Sequence, residues 1–306
     1  MTTAPRVLLI APTRIGDAVL FSGAIDGVRR LLPAAEVTVA CSALTAPLYR
    51  GFDEVTAVWT LTTGSRLARW RALWRRAWPV RWDLVVDLRG SAFAYLVRTR
   101  RRLIHNPRET VGLHRVEAVS AVLRSATPLS PRLPLDETAR ASADAVLGRA
   151  GPLIVLAPVA ASSDKTWEAQ NWARLVERLL ARPEFQTHRV AVIAAADERI
   201  GATPALQAAG KRSVDAIGAL DLPGAAALLA RADLFIGNDS GLGHMAAAVG
   251  APSLVLFGPT DARLYRPWGE RTAIVRAGED RGPIEALTVD QVERAAIALA
   301  RETEGL

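Results

Sequence analysis

Eight short and continuously apolar runs put the strongest constraint on the fold of this chain. Strands that helices cover on both faces of a parallel sheet carry such unbroken runs, whereas half-exposed strands alternate. The runs are RVLLIAP (6–12), EVTVACS (36–42), EVTAVWTL (54–61), DLVVDLRG (83–90), PLIVLAP (152–158), HRVAVIAA (188–195), DLFIGND (233–239) and PSLVLFGP (252–259). Helical patterns lie between them at 17–32, 171–182, 222–232 and 242–249. This alternation predicts an α/β chain with parallel sheets.

The pattern begins twice along the chain. RVLLIAPTRIGD opens the first half and PLIVLAPVAASSD opens the second, each an apolar strand followed by a proline and a polar loop. A length of 306 residues suits two domains, and the proline-rich segment 125–140 predicts a linker. We therefore predict two doubly wound domains, over residues 1–150 and 151–306. Ligands bind such sheets at the carboxyl ends of the strands, so site residues are expected there.

Composition narrows the cellular setting and the class of partner. Cys41 is the only cysteine, which excludes a disulfide framework, and no apolar run approaches the roughly 18 residues that span a bilayer. The first run is too short for a secretion signal, so a cytoplasmic location is expected. The net charge of +7 comes mostly from arginine and indicates an acidic partner, such as nucleic acid, a phosphorylated substrate or an anionic membrane.

Asp17 is the first candidate for catalysis, because it lies where the first strand turns into the first helix, in APTRIGDAVL. One interpretation is structural, since aspartate is a good N-cap. The other is catalytic, because a carboxylate at this edge can remove a proton from an acceptor hydroxyl.

The stretch GNDSGLGHMAAAVG (237–250) predicts an anion site at the start of a helix. Glycines let a ligand approach the backbone, and the unpaired N–H groups of a helix N-terminus attract phosphate. The histidine is either a further donor or a packed helix residue, and the acid and serine can also cap the helix. The candidate anion-binding residues here are Asp239, Ser240, Gly241, Leu242, Gly243 and His244. GLGHMA also matches G-x-G-x-x-A, with Asp261 twenty residues after the first glycine, so a dinucleotide site is an alternative.

Two loops in the second half add polar groups at predicted strand ends. Lys165 in SSDKTW can reach a diphosphate as a point charge, with Ser162 and Ser163 as donors, or it is a solvated lysine. Asp197 or Glu198 in AAADERI can hold ribose hydroxyls or cap a helix. The four histidines are scattered and no D-x-D pair occurs, so we predict no metal site.

The stretch RLARWRALWRRAWPVRW (66–82) predicts an amphipathic helix that ends at Pro79. Its tryptophans fall on one side and most of its arginines on the other. The tryptophan side is expected to pack on the sheet or to lie partly at an interface. The arginine side is solvated, or it contacts anionic lipid headgroups or an acidic acceptor. The candidate acceptor or anionic surface consists of Arg14, Arg71, Arg75, Arg76, Arg98 and Arg101.

Taken together, RIGDAVL, DKTW and GNDSGLGHMAAAVGAPSLVLFGPTD (237–261) resemble glycosyltransferase family 9, the ADP-heptose:lipopolysaccharide heptosyltransferases. The resemblance covers nearly the whole chain. It implies a GT-B fold, with two Rossmann-like domains facing a cleft, the N-terminal one for the acceptor and the C-terminal one for the nucleotide sugar. It also implies inverting transfer from an ADP-sugar to the anionic lipopolysaccharide inner core, without a divalent metal or other cofactor. The partners would be these two substrates and the cytoplasmic face of the inner membrane, with no nucleic acid.

The resemblance also implies roles for individual residues. Asp17 falls on the catalytic base, Lys165 on a phosphate-contacting lysine and Glu198 on the acid near the adenosine ribose. The block from Asp239 to His244 falls on the donor site. Glu168 stands where the family often has proline, and SGLGH stands where SGPMH is common. These departures leave the sugar open. Another nucleotide sugar or acceptor, a nucleotide-sugar epimerase and an NAD-dependent oxidoreductase remain alternatives.

Overall fold

The computed structural model describes residues 4–61, 65–278 and 281–304. The chain divides into an N-terminal unit, Met1–Pro134, and a C-terminal unit, Leu135–Leu306. This boundary differs from the one expected near residue 150. The reason is a helix at Glu137–Leu147, which packs against a helix and a strand of the C-terminal unit.

The N-terminal unit is built on a five-stranded parallel sheet. Its strands are β1 (Arg6–Ile10), β2 (Glu36–Ser42), β3 (Val55–Leu61), β4 (Trp82–Asp87) and β5 (Thr99–Ile104). Its helices are α1 (Ile15–Leu20), α2 (Ala24–Leu31), α3 (Ala46–Arg50), α4 (Arg66–Ala77) and α5 (Arg115–Val122), with a 3-10 turn at Ala92–Tyr95. The strand order is β3-β2-β1-β4-β5, so the sheet switches direction between β1 and β4. Ligand crevices form at such switch points in doubly wound sheets.

The C-terminal unit repeats this plan with six parallel strands. The strands are β6 (Leu153–Ala157), β7 (Arg189–Val192), β8 (Ser213–Asp215), β9 (Leu234–Asn238), β10 (Ser253–Phe257) and β11 (Thr272–Arg276). The helices are α6 (Glu137–Leu147), α7 (Ala169–Leu180), α8 (Arg199–Ala208), α9 (Leu222–Leu229), α10 (Gly241–Ala248), α11 (Ala262–Tyr265) and α12 (Val289–Glu304). Short 3-10 turns lie at Ser163–Lys165, Pro183–Phe185, Ala196–Glu198, Gly210–Arg212 and Ile284–Ala286. The order β11-β10-β9-β6-β7-β8 switches direction between β6 and β9.

The predicted fold class is confirmed, and all eight apolar runs form strands. Three further strands were not predicted: β5, β8 and β11. Each lies at the edge of its sheet, where one side of the strand has no neighbour and polar residues are tolerated. β5 has the sequence TRRRLI, and its three arginines are exposed. The search for unbroken apolar runs therefore missed three of the four edge strands, whereas the fourth, β3, was found from its run EVTAVWTL.

Two local predictions need correction. The helix expected over 17–32 is broken into α1 and α2 by a tighter turn, in which the N–H groups of Ser22, Ala24 and Ile25 each donate to the carbonyl three residues back. Within this turn, Gly23 lies so close to the Leu129 carbonyl that a Cβ would not fit. The segment expected to be a linker is not free either. Leu129 is 1% exposed, and Arg132 pairs with Asp26 (2.9 Å) and Glu54 (3.1 Å).

The tryptophan-rich helix α4 is only partly packed on its apolar side. Leu73 and Ala77 are buried, and the Trp74 Nε1–H donates to the Leu96 carbonyl at 2.9 Å. However, Leu67 is 78% exposed and Trp78 is 46% exposed, although both lie on the side that was expected to pack on the sheet. Full packing of the tryptophan side on the sheet is therefore wrong at both ends of the helix, and the partly interfacial alternative stays a prediction.

Candidate functional site

Asp17 lies in the first turn of α1, at the carboxyl edge of the N-terminal sheet. Arg14 occupies the N-cap position, so Asp17 does not cap the helix. The carboxylate is partly exposed, and within the described residues no group hydrogen-bonds or ion-pairs with it. The Ser42 hydroxyl donates to the Thr13 carbonyl at 3.1 Å and holds the preceding loop. An unpaired carboxylate in this position can accept a proton from a bound hydroxyl.

Two buried titratable groups that the sequence analysis missed lie at the same edge. Asp87 ends β4 and is fully buried; its Oδ1 accepts from the Arg89 N–H at 2.9 Å and its Oδ2 from the Ser91 hydroxyl at 2.5 Å. Burial raises the pKa of Asp87 above 3.8 despite these bonds. His105 follows β5, and burial lowers its pKa below 6.5. The position of Asp87 at the end of an apolar run was a usable signal, whereas no motif marks His105.

The arginines predicted to form one surface for an anionic acceptor or lipid do not form one cluster. Arg14 is exposed beside Asp17 at the carboxyl edge, whereas Arg98 directly precedes β5 at the opposite, amino edge. Arg101 is exposed within β5. On α4, the guanidinium of Arg76 lies 4.4 Å from the centre of the Trp59 ring. The remaining two residues of the set, Arg71 and Arg75, are exposed on α4.

In the C-terminal unit, an ion pair joins two of the predicted donor-site residues. The Lys165 Nζ lies 2.8 Å from the Asp239 Oδ2, where the loops after β6 and β9 come together. The Asp239 side chain is 5% exposed and that of Lys165 is 32% exposed. The lysine therefore neutralises a buried carboxylate and still presents its charge to solvent. The alternative of a merely solvated loop lysine does not describe this geometry.

Asn238, which the sequence analysis quoted within a motif but did not single out, joins the same two loops. It is fully buried; its Nδ2 donates to the Pro158 carbonyl (2.7 Å) and its Oδ1 accepts from the Trp167 N–H (3.1 Å). Trp167 is itself fully buried, and its Nε1–H donates to the Leu287 carbonyl at 2.9 Å. These contacts fix the loop that carries Lys165 against the end of β9.

The N-terminus of α10 follows this ion pair directly. Ser240 is at the N-cap position, but its side chain makes no capping bond and its hydroxyl oxygen is buried without a partner among the described residues. Neither predicted cap therefore satisfies the first N–H groups of the helix, those of Gly241 and Leu242. Gly243 has a packing role, since a Cβ there would come within 3.0 Å of Val255.

Other predicted donor-site residues have structural partners. His244 is 6% exposed within α10. One oxygen of Glu198 accepts from the Ala195 N–H at 2.8 Å, which is the capping role that was weighed for it. The Ser162 hydroxyl donates to Asp164, and Ser163 is exposed. Their parts in donor binding remain predictions.

Asp261 lies at the carboxyl end of β10, in the loop before α11. It accepts from the Arg263 guanidinium at 2.9 Å and from the Arg281 guanidinium at 2.7 Å. These hydrogen bonds hold the pKa of the carboxyl well below its usual 3.8. A carboxylate paired with two arginines differs from the acid that a dinucleotide site offers to ribose. Moreover, G-x-G-x-x-A here follows β9 rather than the first strand of the unit.

The sequence profile of glycosyltransferase family 9 (heptosyltransferase) matches residues 71–288. The chain belongs to glycosyltransferase family 9. It is 33% identical, over 144 residues, to lipopolysaccharide heptosyltransferase 3 of Escherichia coli. That alignment covers 46% of this chain and 40% of the relative. The chain spans less than half the length of the curated relatives it matches.

Solved structures of the family share the fold. A family 9 glycosyltransferase from Veillonella parvula superposes with a TM-score of 0.84 at 16% identity, over 99% of each chain. The E. coli heptosyltransferase WaaC with ADP gives a TM-score of 0.75 at 20% identity, over 96% of this chain and 99% of that one. The similarity establishes the fold, and the predicted GT-B class with two Rossmann-like units is confirmed.

The described residues contain neither a cluster of metal-binding side chains nor a membrane-spanning helix. Across 4–61, 65–278 and 281–304, no three His, Cys, Asp or Glu side chains gather in a group that could hold a metal ion. In the same residues, no helix is long and apolar enough to cross a membrane.

Proposed function

We propose that this family 9 member is an inverting glycosyltransferase that moves a heptose, or a related sugar, from an ADP-sugar to the lipopolysaccharide inner core without a divalent metal. The observation that carries the proposal is the carboxylate of Asp17 at the carboxyl edge of the N-terminal sheet, which has no partner among the residues that the structure describes. It is supported by the carboxyl edge of the C-terminal sheet, where Lys165 offsets the charge of Asp239 beside the N–H groups that begin α10, an arrangement that suits a diphosphate.

In the proposed reaction, Asp17 takes the proton of an acceptor hydroxyl. The oxygen attacks the anomeric carbon from the face opposite the leaving group, a C–O bond forms, and the bond to the diphosphate oxygen breaks. The electron pair of that bond leaves with ADP, and the configuration at the carbon inverts. A base in hydrogen-bond reach of the hydroxyl contributes about 10²- to 10⁴-fold to such a step.

The C-terminal unit supplies the charge that the leaving diphosphate needs. Lys165 presents a cation beside the N-terminus of α10, where the N–H groups of Gly241 and Leu242 have no capping side chain. Positive charge that is already in place stabilises negative charge as it develops. We assign His244 a further donor role and Glu198 a ribose contact. The E. coli relative solved with ADP supports ADP as the nucleotide.

The acceptor we propose is an anionic, lipid-linked saccharide, which suits the arginine-rich N-terminal unit. The similarity to lipopolysaccharide heptosyltransferases supports this class of acceptor. A site of action at the cytoplasmic face of the inner membrane follows from it. We propose no nucleic acid partner and no cofactor.

Product analysis tests the proposal. The purified protein is incubated with a panel of nucleotide sugars and truncated lipopolysaccharide acceptors, with and without chelator, and the products are identified by mass spectrometry. We expect the acceptor to gain one heptose mass from ADP-heptose, in the opposite anomeric configuration, with chelator present. Retention of configuration, or a requirement for added metal, contradicts the mechanism.

An incubation with donor alone addresses the epimerase alternative. An isomerised sugar nucleotide in the absence of acceptor favours an epimerase, whereas an unchanged donor favours transfer. Thermal stabilisation by NAD(H) but not by ADP-sugars would favour the oxidoreductase.

A further inference from the structure

One surface of the N-terminal unit combines exposed apolar side chains with arginines. We call it the interfacial patch and define it by Leu67, Arg71 and Arg75 on α4, the C-cap residue Trp78, and Tyr95 and Leu96 after β4. Leu67, Trp78, Tyr95 and Leu96 are 78%, 46%, 69% and 55% exposed.

The patch is continuous because α4 packs against the turn that follows β4. At 100° per residue, its members on α4 and at the C-cap fall on one stripe of the helix. The Trp74 ring lies 5.2 Å from that of Trp78, and its Nε1–H donates to the Leu96 carbonyl at 2.9 Å. Trp74 therefore joins the helical stripe to Leu96 and its neighbour Tyr95.

The arginines of the patch have no acidic partner in the described part of the chain. Other arginines of the unit are engaged: Arg100 pairs with Asp83 at 3.2 Å, and Arg102 donates to the Ala94 carbonyl at 2.7 Å. Arg71 and Arg75 are exposed and carry no ion pair within residues 4–61, 65–278 and 281–304. Their charge is available to a partner outside the chain.

The composition of the patch favours an anionic bilayer over a protein partner. Trp and Tyr concentrate at membrane interfaces because their rings are apolar with a polar edge, and arginine beside them binds lipid headgroups. A protein interface of this kind would bring acids to pair with the arginines, but the patch itself has none to form a dimer with a second copy.

The charge of the whole unit supports this choice. The N-terminal unit has 20 arginines against 9 Asp and Glu, a net charge of +11. Among the described residues, it also carries six of the seven well-exposed large apolar side chains, and the C-terminal unit has only Ile200.

We propose that the interfacial patch docks the N-terminal unit on an anionic phospholipid surface. The apolar side chains enter the headgroup boundary, and Arg71 and Arg75 contact lipid phosphates. The inference rests on the proposed function in one respect only: a lipid-linked acceptor lies at the membrane, so the enzyme must reach that surface. Since α4 begins after β3 and leads into β4, the stripe runs from the carboxyl edge of the sheet, where Asp17 lies, toward its amino edge.

Vesicle co-sedimentation of the full chain tests the proposal without donor or acceptor. The vesicles are pure phosphatidylcholine, or phosphatidylcholine and phosphatidylglycerol in equal amounts. We expect binding to the anionic vesicles only, weakened by salt. Arg71→Glu/Arg75→Glu should weaken it about tenfold or more, because each arginine near such a surface contributes on the order of 1 kcal/mol.

The matched control is Arg69→Glu/Arg108→Glu, which changes the charge equally at two exposed arginines of the N-terminal unit outside the patch. We expect it to weaken binding far less. Tyr95→Ser/Leu96→Ser tests the apolar part with exposed residues, and thermal melting checks that each variant is folded.

Equal binding to neutral vesicles, no binding at all, or equal losses in test and control variants would overturn the proposal. So would a dimer that Tyr95→Ser/Leu96→Ser dissociates. Because no sugar nucleotide or acceptor is present, loss of vesicle binding leaves the proposed reaction intact, and an inactive enzyme leaves the docking result intact.

Discussion

The two units differ in net charge, and the pairing of the acids at their candidate sites runs opposite to that difference. The N-terminal unit has a net charge of +11, yet the acid at its carboxyl edge, Asp17, has no cation among the described residues. The C-terminal unit has 18 basic and 22 acidic residues, a net charge of −4, yet Asp239 there is neutralised by Lys165. Local pairing therefore describes the chemistry of each edge better than net charge does. An unpaired acid suits a base, and a paired one suits a site for phosphate.

Replacing Asp17 tests the acid without a partner in the N-terminal unit and should have the largest effect on turnover. We expect Asp17→Asn to lower kcat by about 10²- to 10⁴-fold, because the acceptor hydroxyl loses its base. Donor affinity, measured by calorimetry, should stay unchanged. The control is Asp53→Asn, an exposed acid of the same unit. Turnover of Asp17→Asn within a few-fold of the parent would remove the base assignment.

Replacing Lys165 tests the paired edge. Lys165→Ala removes the cation and leaves the carboxylate of Asp239 buried without its partner, so kcat/KM should fall on the order of 10²-fold. Donor affinity should fall with it, which separates this variant from Asp17→Asn. Lys211→Ala, at the only other lysine, serves as control. Unchanged donor affinity in Lys165→Ala would show that the lysine only balances Asp239.

A pair of buried residues sharpens the comparison further. Asp87 and Asn238 end equivalent strands, each beside the first strand of its unit, and both are fully buried. Asn238→Asp removes the donor to the Pro158 carbonyl and adds a buried carboxylate. We expect a loss of about 1–3 kcal/mol in the free energy of unfolding.

Chemical denaturation at neutral and at mildly acid pH checks this. The loss should be smaller in acid, because a protonated carboxyl can again donate to the carbonyl. A stability equal to the parent at neutral pH would contradict it.

The smallest expected effect concerns stability against pH, which Asp87 and Asp261 should change in opposite directions. The pKa of Asp87 is raised above 3.8, so its contribution to stability is full below that value and is lost as pH rises through the folded pKa. The pKa of Asp261 is held below 3.8, so its contribution is present above that value and is lost as pH falls.

Unfolding curves against pH for Asp87→Asn and Asp261→Asn check both signs. The free energy of unfolding of the parent minus that of the variant should fall with rising pH for Asp87→Asn. For Asp261→Asn the same difference should fall with falling pH. Parallel trends in the two variants would contradict the opposite signs.

Sequence periodicity predicted every strand inside the two sheets and one edge strand, β3, but it missed the edge strands β5, β8 and β11. A run such as RVLLIAP indicates a strand because a strand covered by helices on both faces is apolar throughout. The edge strand TRRRLI has exposed arginines and carries no such pattern. Motifs at strand ends led to Asp17, Lys165 and Asp239. The contact between Lys165 and Asp239 was out of reach, because it joins residues 74 positions apart. The burial that shifts the pKa of Asp87 likewise depends on tertiary packing.

The early end of the N-terminal unit has a consequence for evolution and for engineering. Because α6 belongs to the C-terminal unit, Ala139, Ala143 and Leu147 are buried there. A chimera joined near residue 150 would take α6 from one parent and its packing surface from the other. A chimera joined after Pro134 keeps both together. Recombination at Pro134 would exchange whole N-terminal units between family members, and with them the proposed acceptor specificity, at little cost to either hydrophobic core.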